Sequence, residues 1–461
     1  MQSAEHWADL LWNPWLLGLF LLTGLYCSVG SGFFQLFGLP VWLRATVGSV
    51  LHPAAPAAGR GITQWQALCT ALASTIGTGS VAGVATAIWM GGPGAVFWMW
   101  VSAVLGMMTG FVEKTLTVLF RTRERDGSWR GGPMEYLSRG LGSRRLAGFY
   151  AAVCLCACFV GGNLVQANSI AASLNGVFGW DRLTVGIVTA VLAWSVMAGG
   201  LGRISGVSVY LVPIMAALYI GGGVTVLILR RELLVPALKQ ILNCAFCPEA
   251  ALGAGAGYTL RGAMRYGVAR GVFTNEAGLG TGAIAHGAAE VDLPARQGMW
   301  GILEVGIATL LVCTITALVI LVSGVYDPFL GTSSIVPEGG VGAPLTAAAF
   351  SRGLGRWGGV LVAVCLVLFA FSSVLGWSYY GQQCLRYFGW GIGRERTFWR
   401  LYLVCIGLGS VWNAGQVWAL VDVCSGLMAI PNLAAILLLS PRAFRELNRW
   451  WESGKKKNPE K

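Results

Sequence analysis

Thr75-Ile-Gly-Thr-Gly-Ser80 and, in the second half of the chain, Phe273-Thr-Asn-Glu-Ala-Gly-Leu-Gly-Thr281 decide how this sequence is read. Each lies inside a segment otherwise long and apolar enough to cross a bilayer. Each gathers glycines, hydroxyls and amides where a spanning helix normally carries hydrocarbon. Backbone that leaves helical geometry at membrane depth is tolerated only where it is buried in protein or lines a cavity. A pair of Gly-interrupted apolar segments, one in each half, points to the binding site of a secondary transporter.

The remaining sequence supplies the membrane. The 461 residues are 55% hydrophobic and 11% charged, against about 25% charged in soluble domains. The fold class expected is therefore an all-α polytopic membrane protein. The 66 glycines suit close helix approach and the 20 tryptophans suit interfacial belts. A net charge of +12 raises nucleic acid as a partner. The basic residues fall in short loops between apolar spans, the positive-inside pattern, which argues against it.

Most of the 12 cysteines, such as Cys154, Cys158 and Cys365, stand in apolar spans as small fillers. Cys244-Ala-Phe-Cys247 has motif spacing but no second pair to complete a zinc site, and reads as unpaired or a local disulfide. Met1 to Leu10 holds Glu5 and Asp9 and no Lys or Arg, so it is no signal-peptide n-region and the first apolar run reads as a retained span.

A span needs about 20 apolar residues. We count eleven segments, at 14–36, 65–90, 95–120, 146–178, 184–200, 207–229, 262–289, 299–323, 358–380, 398–410 and 417–439. The second and seventh contain the breaks, and the seventh is read from its position, glycines and small residues rather than its hydropathy. Residues 230–261 read as an outer loop with an amphipathic helix, and 324–356 as a loop too polar to span. Residues 1–440 form one transporter domain and 441–461 a basic cytoplasmic tail. With an odd count, the basic loop 121–145, the loop with Arg386, Arg394, Arg396 and Arg400, and Lys455–Lys457 share one side. That side is the cytoplasm of a plasma membrane, with the amino terminus outside. Arg230, Arg231 and Lys239 run against the pattern unless they snorkel.

At the first break, Gly77 and Gly79 permit dihedrals closed to other residues. Unwinding frees carbonyls suited to Na⁺ and half-helix amino termini suited to a carboxylate. Thr75, Thr78 and Ser80 add hydroxyls at the same level. The blander reading is a small-residue helix contact, which a matching second break weakens. There, Asn275 and Glu276 stand inside a span, and an ionisable group at that depth is a functional hypothesis by default. Glu276 either meets a cation or, the blander role, braces unwound backbone by accepting N–H bonds. His286 reads as a packing residue.

Asn163, Gln166 and Asn168 cannot share one helical face, so some serve helix contacts and one or two a cavity. Ser372 and Ser373 lie mid-membrane with Trp377 one turn on. Membrane serines often bond their own helix, yet a pair beside freed carbonyls completes an all-oxygen cation site. Glu113 reads as paired with Lys114, whereas Glu304 and Asp422 have no partner visible in the sequence.

With these residues in view the chain resembles the alanine or glycine:cation symporter family over nearly its whole length. The resemblance is carried by residues 67–88, Gly91-Gly-Pro-Gly-Ala-Val-Phe-Trp-Met-Trp100, Gly131-Gly-Pro-Met134, Val272-Phe-Thr-Asn-Glu-Ala-Gly-Leu-Gly280 and Ala370-Phe-Ser-Ser-Val-Leu-Gly-Trp-Ser-Tyr-Tyr-Gly381. It implies the inverted-repeat fold of the neurotransmitter:sodium symporters with one extra amino-terminal helix. The repeats would be about 65–229 and 262–410, each opening with a discontinuous helix. By that likeness the substrate meets Thr75, Gly77, Thr78, Gly79 and Ser80, with Gln166, Phe273, Thr274, Asn275 and Trp377 completing the pocket. Sodium would use carbonyls near Ala73, Ile76 and Phe369 with the hydroxyls of Ser372 and Ser373.

Two positions depart from the family: Ser80 stands where Asn is usual, and Ser372-Ser373 where Ser-Thr is usual. The second keeps its hydroxyl. The first loses an amide, which opens a roomier pocket for a side chain such as glutamine. The expectation is a sodium-coupled importer of a small neutral amino acid with no cofactor, working in the lipid bilayer. Its alternatives are a glutamine carrier or proton coupling. A membrane-embedded transferase would want a His, Asp or Cys cluster at an interface loop, and the three histidines, His6, His52 and His286, are far apart.

Overall fold

The computed structural model describes residues 2–51, 61–246, 260–326, 341–412 and 414–457. Apart from a two-residue hairpin, Thr122–Arg123 with Trp129–Arg130, the named elements are helices. The ones that position the site are α1 (Pro14–Gly30), α2 (Gln64–Thr75), α3 (Gly79–Gly91), α4 (Gly94–Phe120), α5 (Arg144–Phe178), α6 (Arg182–Met197) and α7 (Gly200–Leu229). They continue with α8 (Leu260–Asn275), α9 (Thr281–His286), α10 (Pro294–Ser323), α11 (Arg356–Tyr387), α12 (Ile392–Val411) and α13 (Ala414–Lys457). Among the described residues, six helices are long and apolar enough to cross a membrane, or seven if the bent α2–α3 pair is one span.

Local chemistry sets the ends. Thr63 caps α2 in a reciprocal box: its hydroxyl accepts the Gln66 N–H, and the Gln66 side chain accepts the Thr63 N–H. Asp181 caps α6 one way, its carboxylate accepting the Thr184 N–H at 2.8 Å. Gly92, at φ +72°, supplies the left-handed turn between α3 and α4.

α4 is the spine, packed on α1, α8 and α10. Gly110 and Gly301 let α4 and α10 touch backbone to backbone: a methyl group on Gly301 would lie 2.6 Å from the Gly110 carbonyl oxygen. Among the described residues the two largest apolar clusters centre on Phe111, Tyr150 and Leu433 and on Leu72, Trp300 and Phe369.

The amphipathic helix expected in 230–261 is Leu234–Ala245, which buries Ala237, Ile241 and Ala245 on one face. The stretch 324–356 also contains a helix, Ala343–Leu354, whose Leu345, Ala349 and Phe350 are buried; its composition hid it because the helix is short and packs beside the spans. α13 does not stop at 439. It continues to Lys457 through Pro441, because Ala443 and Leu447 keep an apolar face buried and Phe444 seats against Gly30. Cys247, half of the C-x-x-C pair, lies outside the described residues.

Candidate functional site

Both glycine-rich stretches interrupt their helices. After Thr75 the backbone leaves helical geometry at Ile76 (φ −79°, ψ +81°), and the chain resumes in a wide turn at Gly79, bent by 54° from α2. Only glycine fits where the chain crosses its neighbours. A methyl group on Gly77 would lie 2.7 Å from Ser373 Oγ, and one on Gly79 would lie 3.0 Å from the Phe273 ring.

The second break is held harder. Glu276 sits at φ +55°, with Gly278 at +93° and Gly280 at +80°. A non-glycine residue in that region costs on the order of 1–3 kcal/mol and persists only when its surroundings over-determine it. Here they do. Ala277 N–H donates to Asn275 Oδ1 at 3.0 Å and Gly278 N–H to Glu113 Oε1 at 2.9 Å. Asn432 Nδ2 donates to Glu113 Oε1 at 2.7 Å and to the Gly278 carbonyl at 2.8 Å. The Glu276 carboxylate takes the Thr281 hydroxyl. The carboxylate that accepts N–H bonds from the unwound backbone is thus Glu113, one helix away, while Glu276 reaches into the cavity wall.

Between the breaks lies a small cavity of about 30 Å³, room for one or two waters. Its wall brings together Thr75, Gly77, Thr78, Gly79, Gln166, Phe273, Glu276 and Trp377. Val421 and Ser425 of α13 also line it, and nothing in their sequence setting marked them. Among the described residues, Thr78 Oγ1 and Gln166 Oε1 are buried and have no hydrogen-bond partner. Buried polar atoms are nearly always satisfied, so two such atoms on residues of one cavity wall leave room there for a polar partner.

Three of the expected substrate residues stand behind that wall. The Ser80 carbonyl accepts Thr316 Oγ1 at 2.9 Å, Thr274 Oγ1 donates to the Arg270 carbonyl at 2.8 Å, and Asn275 Nδ2 donates to Thr309 Oγ1 at 3.2 Å. On α5, Asn163 donates to the Tyr402 carbonyl at 2.7 Å and Asn168 to the Trp412 carbonyl at 2.6 Å. These two tie helices together and leave Gln166 to the cavity, the division that their incompatible faces require.

Against α2, α11 places two hydroxyls on carbonyls at the first break and on one carbonyl of its own turn. Ser372 Oγ lies 2.9 Å from the Ala73 carbonyl and 2.8 Å from that of Phe369. Ser373 Oγ lies 3.1 Å from Ala73, 3.3 Å from Ser74 and 3.0 Å from Phe369. All are buried. Five neutral oxygens so gathered form a hard donor set fitted to a monovalent cation. Ser74 contributes a carbonyl not anticipated from the sequence, while Ile76 is buried nearby with its N–H on the Leu72 carbonyl.

Charged side chains frame both sides of the cavity. Arg270 faces Asp422 at 3.7 Å and lies over the Trp418 ring at 5.7 Å, and Phe273 packs on Trp418 at 5.4 Å between ring centres. Behind the second break, Lys114 lies 3.5 Å from Glu113 and 3.2 Å from Glu304, and His286 lies 3.1 Å from Glu304.

The model of the sodium:alanine symporter family matches residues 1–461. The chain belongs to the sodium:alanine symporter family. Within it, the chain is 40% identical to the sodium/alanine symporter AgcS of Methanococcus maripaludis over 458 residues, covering 96% of each. It is 33% identical to the probable sodium/glutamine symporter GlnT of Bacillus subtilis, over 95% of this chain and 88% of that one. Among solved structures it is similar to MhsT in complex with L-phenylalanine, at TM-score 0.58 and 14% identity over 83% of this chain and 90% of that one. It is also similar to a Na⁺-coupled sialic acid symporter, at TM-score 0.50 and 13% identity over 95% and 85%. The symporter family's members and these fold neighbours are transporters, not enzymes. This sodium:alanine symporter homologue is accordingly a multi-pass membrane transporter of the amino-acid carrier class.

Proposed function

We propose that the chain is a sodium-coupled symporter importing a small neutral amino acid, alanine or glycine, by alternating access. The observation that carries this reading is the pair of unpartnered buried atoms, Thr78 Oγ1 and Gln166 Oε1, on the wall of a small cavity between two broken helices. The amino end of α3 offers its N–H groups and positive dipole to the substrate carboxylate. Carbonyls freed at the breaks, with Gln166 Oε1, accept from the ammonium. Trp377 and Phe273 bring two large rings into the cavity wall, which suits a small side chain such as that of alanine or glycine.

Sodium is the second cargo. The Ser372 and Ser373 hydroxyls with the Ala73, Ser74 and Phe369 carbonyls hold it between α2 and α11. Ion and substrate together favour the closed state, and each net cation entering contributes about 2.3 kcal/mol per 100 mV of membrane potential. We read eleven spans in this framework. The shorter α1, α6, the broken α8–α9 pair and α12 join the long ones, in two repeats at about 65–229 and 262–410. The amino terminus is outside the plasma membrane and the carboxyl terminus cytoplasmic.

The test is uptake into proteoliposomes from a panel of labelled amino acids, with sodium and proton gradients imposed separately. Alanine or glycine uptake driven by sodium alone is expected. Uptake driven only by a proton gradient would overturn the coupling assignment. A glutamine carrier is the second reading, favoured by the relative named for glutamine; Ser80, which stands behind the cavity wall, does not bear on it. Glutamine competing with alanine at equal concentration would favour it.

A further inference from the structure

We propose that the end of α13 that projects past the apolar spans forms, with the end of α4, a binding groove for one anionic phospholipid. The groove, of about 590 Å³, is lined by Leu119 and Phe120 on one side and by Arg442, Arg445, Glu446 and Arg449 on the other. Both walls change character at one level. The apolar run of α4 ends at Phe120, directly before Arg121, and that of α13 ends at Leu439, three residues before Arg442. That level is a membrane–water boundary, where basic clusters meet lipid headgroups.

Leu438, Arg442, Arg445 and Arg449 follow one another at steps of four, three and four residues, so they form one stripe on the helix. The stripe begins apolar, with Leu438 67% exposed, and turns basic. An acyl chain running along Leu438 and Leu119 would carry its phosphate to the three guanidinium groups. Arg442 is already drawn across the groove, 5.3 Å above the Phe120 ring.

Charge selects the occupant. Three arginines line the groove against one carboxylate, Glu446, which faces Arg449 at 3.8 Å. A zwitterionic headgroup would leave that excess uncompensated, whereas a phosphatidylglycerol-type headgroup neutralises part of it. Guanidinium forks are suited to phosphate oxygens.

The experiment is thermal unfolding of the full chain in uncharged detergent, titrated with phosphatidylglycerol, phosphatidylcholine or inorganic phosphate. Phosphatidylglycerol should raise the melting temperature by several degrees while the other two do not. The triple variant Arg442→Gln, Arg445→Gln, Arg449→Gln should lose that difference, and the control Arg182→Gln should keep it. Equal stabilisation by phosphatidylcholine, an equal effect of phosphate alone, or a triple variant that still responds would each overturn the proposal. Should the triple variant fail to fold, native mass spectrometry of Arg445→Gln decides instead. Retained phosphatidylglycerol adducts at the wild-type level refute the groove, and their loss supports it.

Discussion

Lys114 Nζ lies 3.2 Å from Glu304 Oε2, with both side chains entirely buried. The pair ties α4 to α10 immediately behind the second break, and His286 joins it from α9. Removing one partner of a buried pair leaves an uncompensated charge, at a cost of about 3–5 kcal/mol. Lys114→Met should therefore lower the melting temperature in detergent steeply, and adding Glu304→Gln should restore part of the loss. A Lys114→Met variant as stable as wild type would mean that the cluster carries little of the fold.

The cation pocket makes a separate prediction. The double variant Ser372→Ala, Ser373→Ala should elute as a folded monodisperse protein yet lose sodium-stimulated uptake. Sodium in place of choline should stabilise the wild type, by about 2.7 kcal/mol at a hundred times its dissociation constant. The variant should show no such shift. Sodium dependence that survives both substitutions would put the ion elsewhere.

Gly162 stands against the base of the Trp377 indole, where a β-carbon would collide with Trp377 Cβ and Cγ. Gly162→Ala should push Trp377 into the cavity. Overpacking of this kind costs about 1–3 kcal/mol, so a rise in the KM for substrate of about five- to 150-fold is expected where that cost falls on the bound state. A KM within twofold of wild type would remove Trp377 from the binding surface.

Asn432 holds the unwound second break through Glu113, the Gly278 carbonyl and the Tyr136 hydroxyl. Asn432→Leu should leave the Gly278 carbonyl and the Tyr136 hydroxyl unpaired, at about 1–3 kcal/mol for each, and Glu113 Oε1 with the Gly278 N–H alone. Backbone amides of residues 276–281 should exchange hydrogen faster than in the wild type. Unchanged exchange there would show that Glu113 alone suffices.

The breaks were legible because glycine and polar clusters have a local meaning at membrane depth, whatever the rest of the chain does. Gln166 could be separated from Asn163 and Asn168 for a similar reason: helical geometry alone keeps the three off one face. Other features depend on which helices meet. Ser80, Thr274 and Asn275 adjoin cavity residues in sequence but stand behind the wall: the 54° bend between α2 and α3 re-aims Ser80, and helix packing commits Thr274 to Arg270 and Asn275 to Thr309. The sequence also could not show that Glu113, rather than Glu276, would accept the freed N–H of Gly278.

Composition and spacing alone thus determined the membrane class, the two interruptions and the hydroxyl pair, because hydropathy, glycine dihedrals and helical periodicity act over a few residues. Tertiary structure alone decided that Glu304 meets Lys114, that Asp422 meets Arg270, and that Val421 and Ser425 enter the cavity wall. Those partners lie far apart in the chain, and only the packing of whole helices sets the few-ångström distances over which charges and hydrogen bonds act.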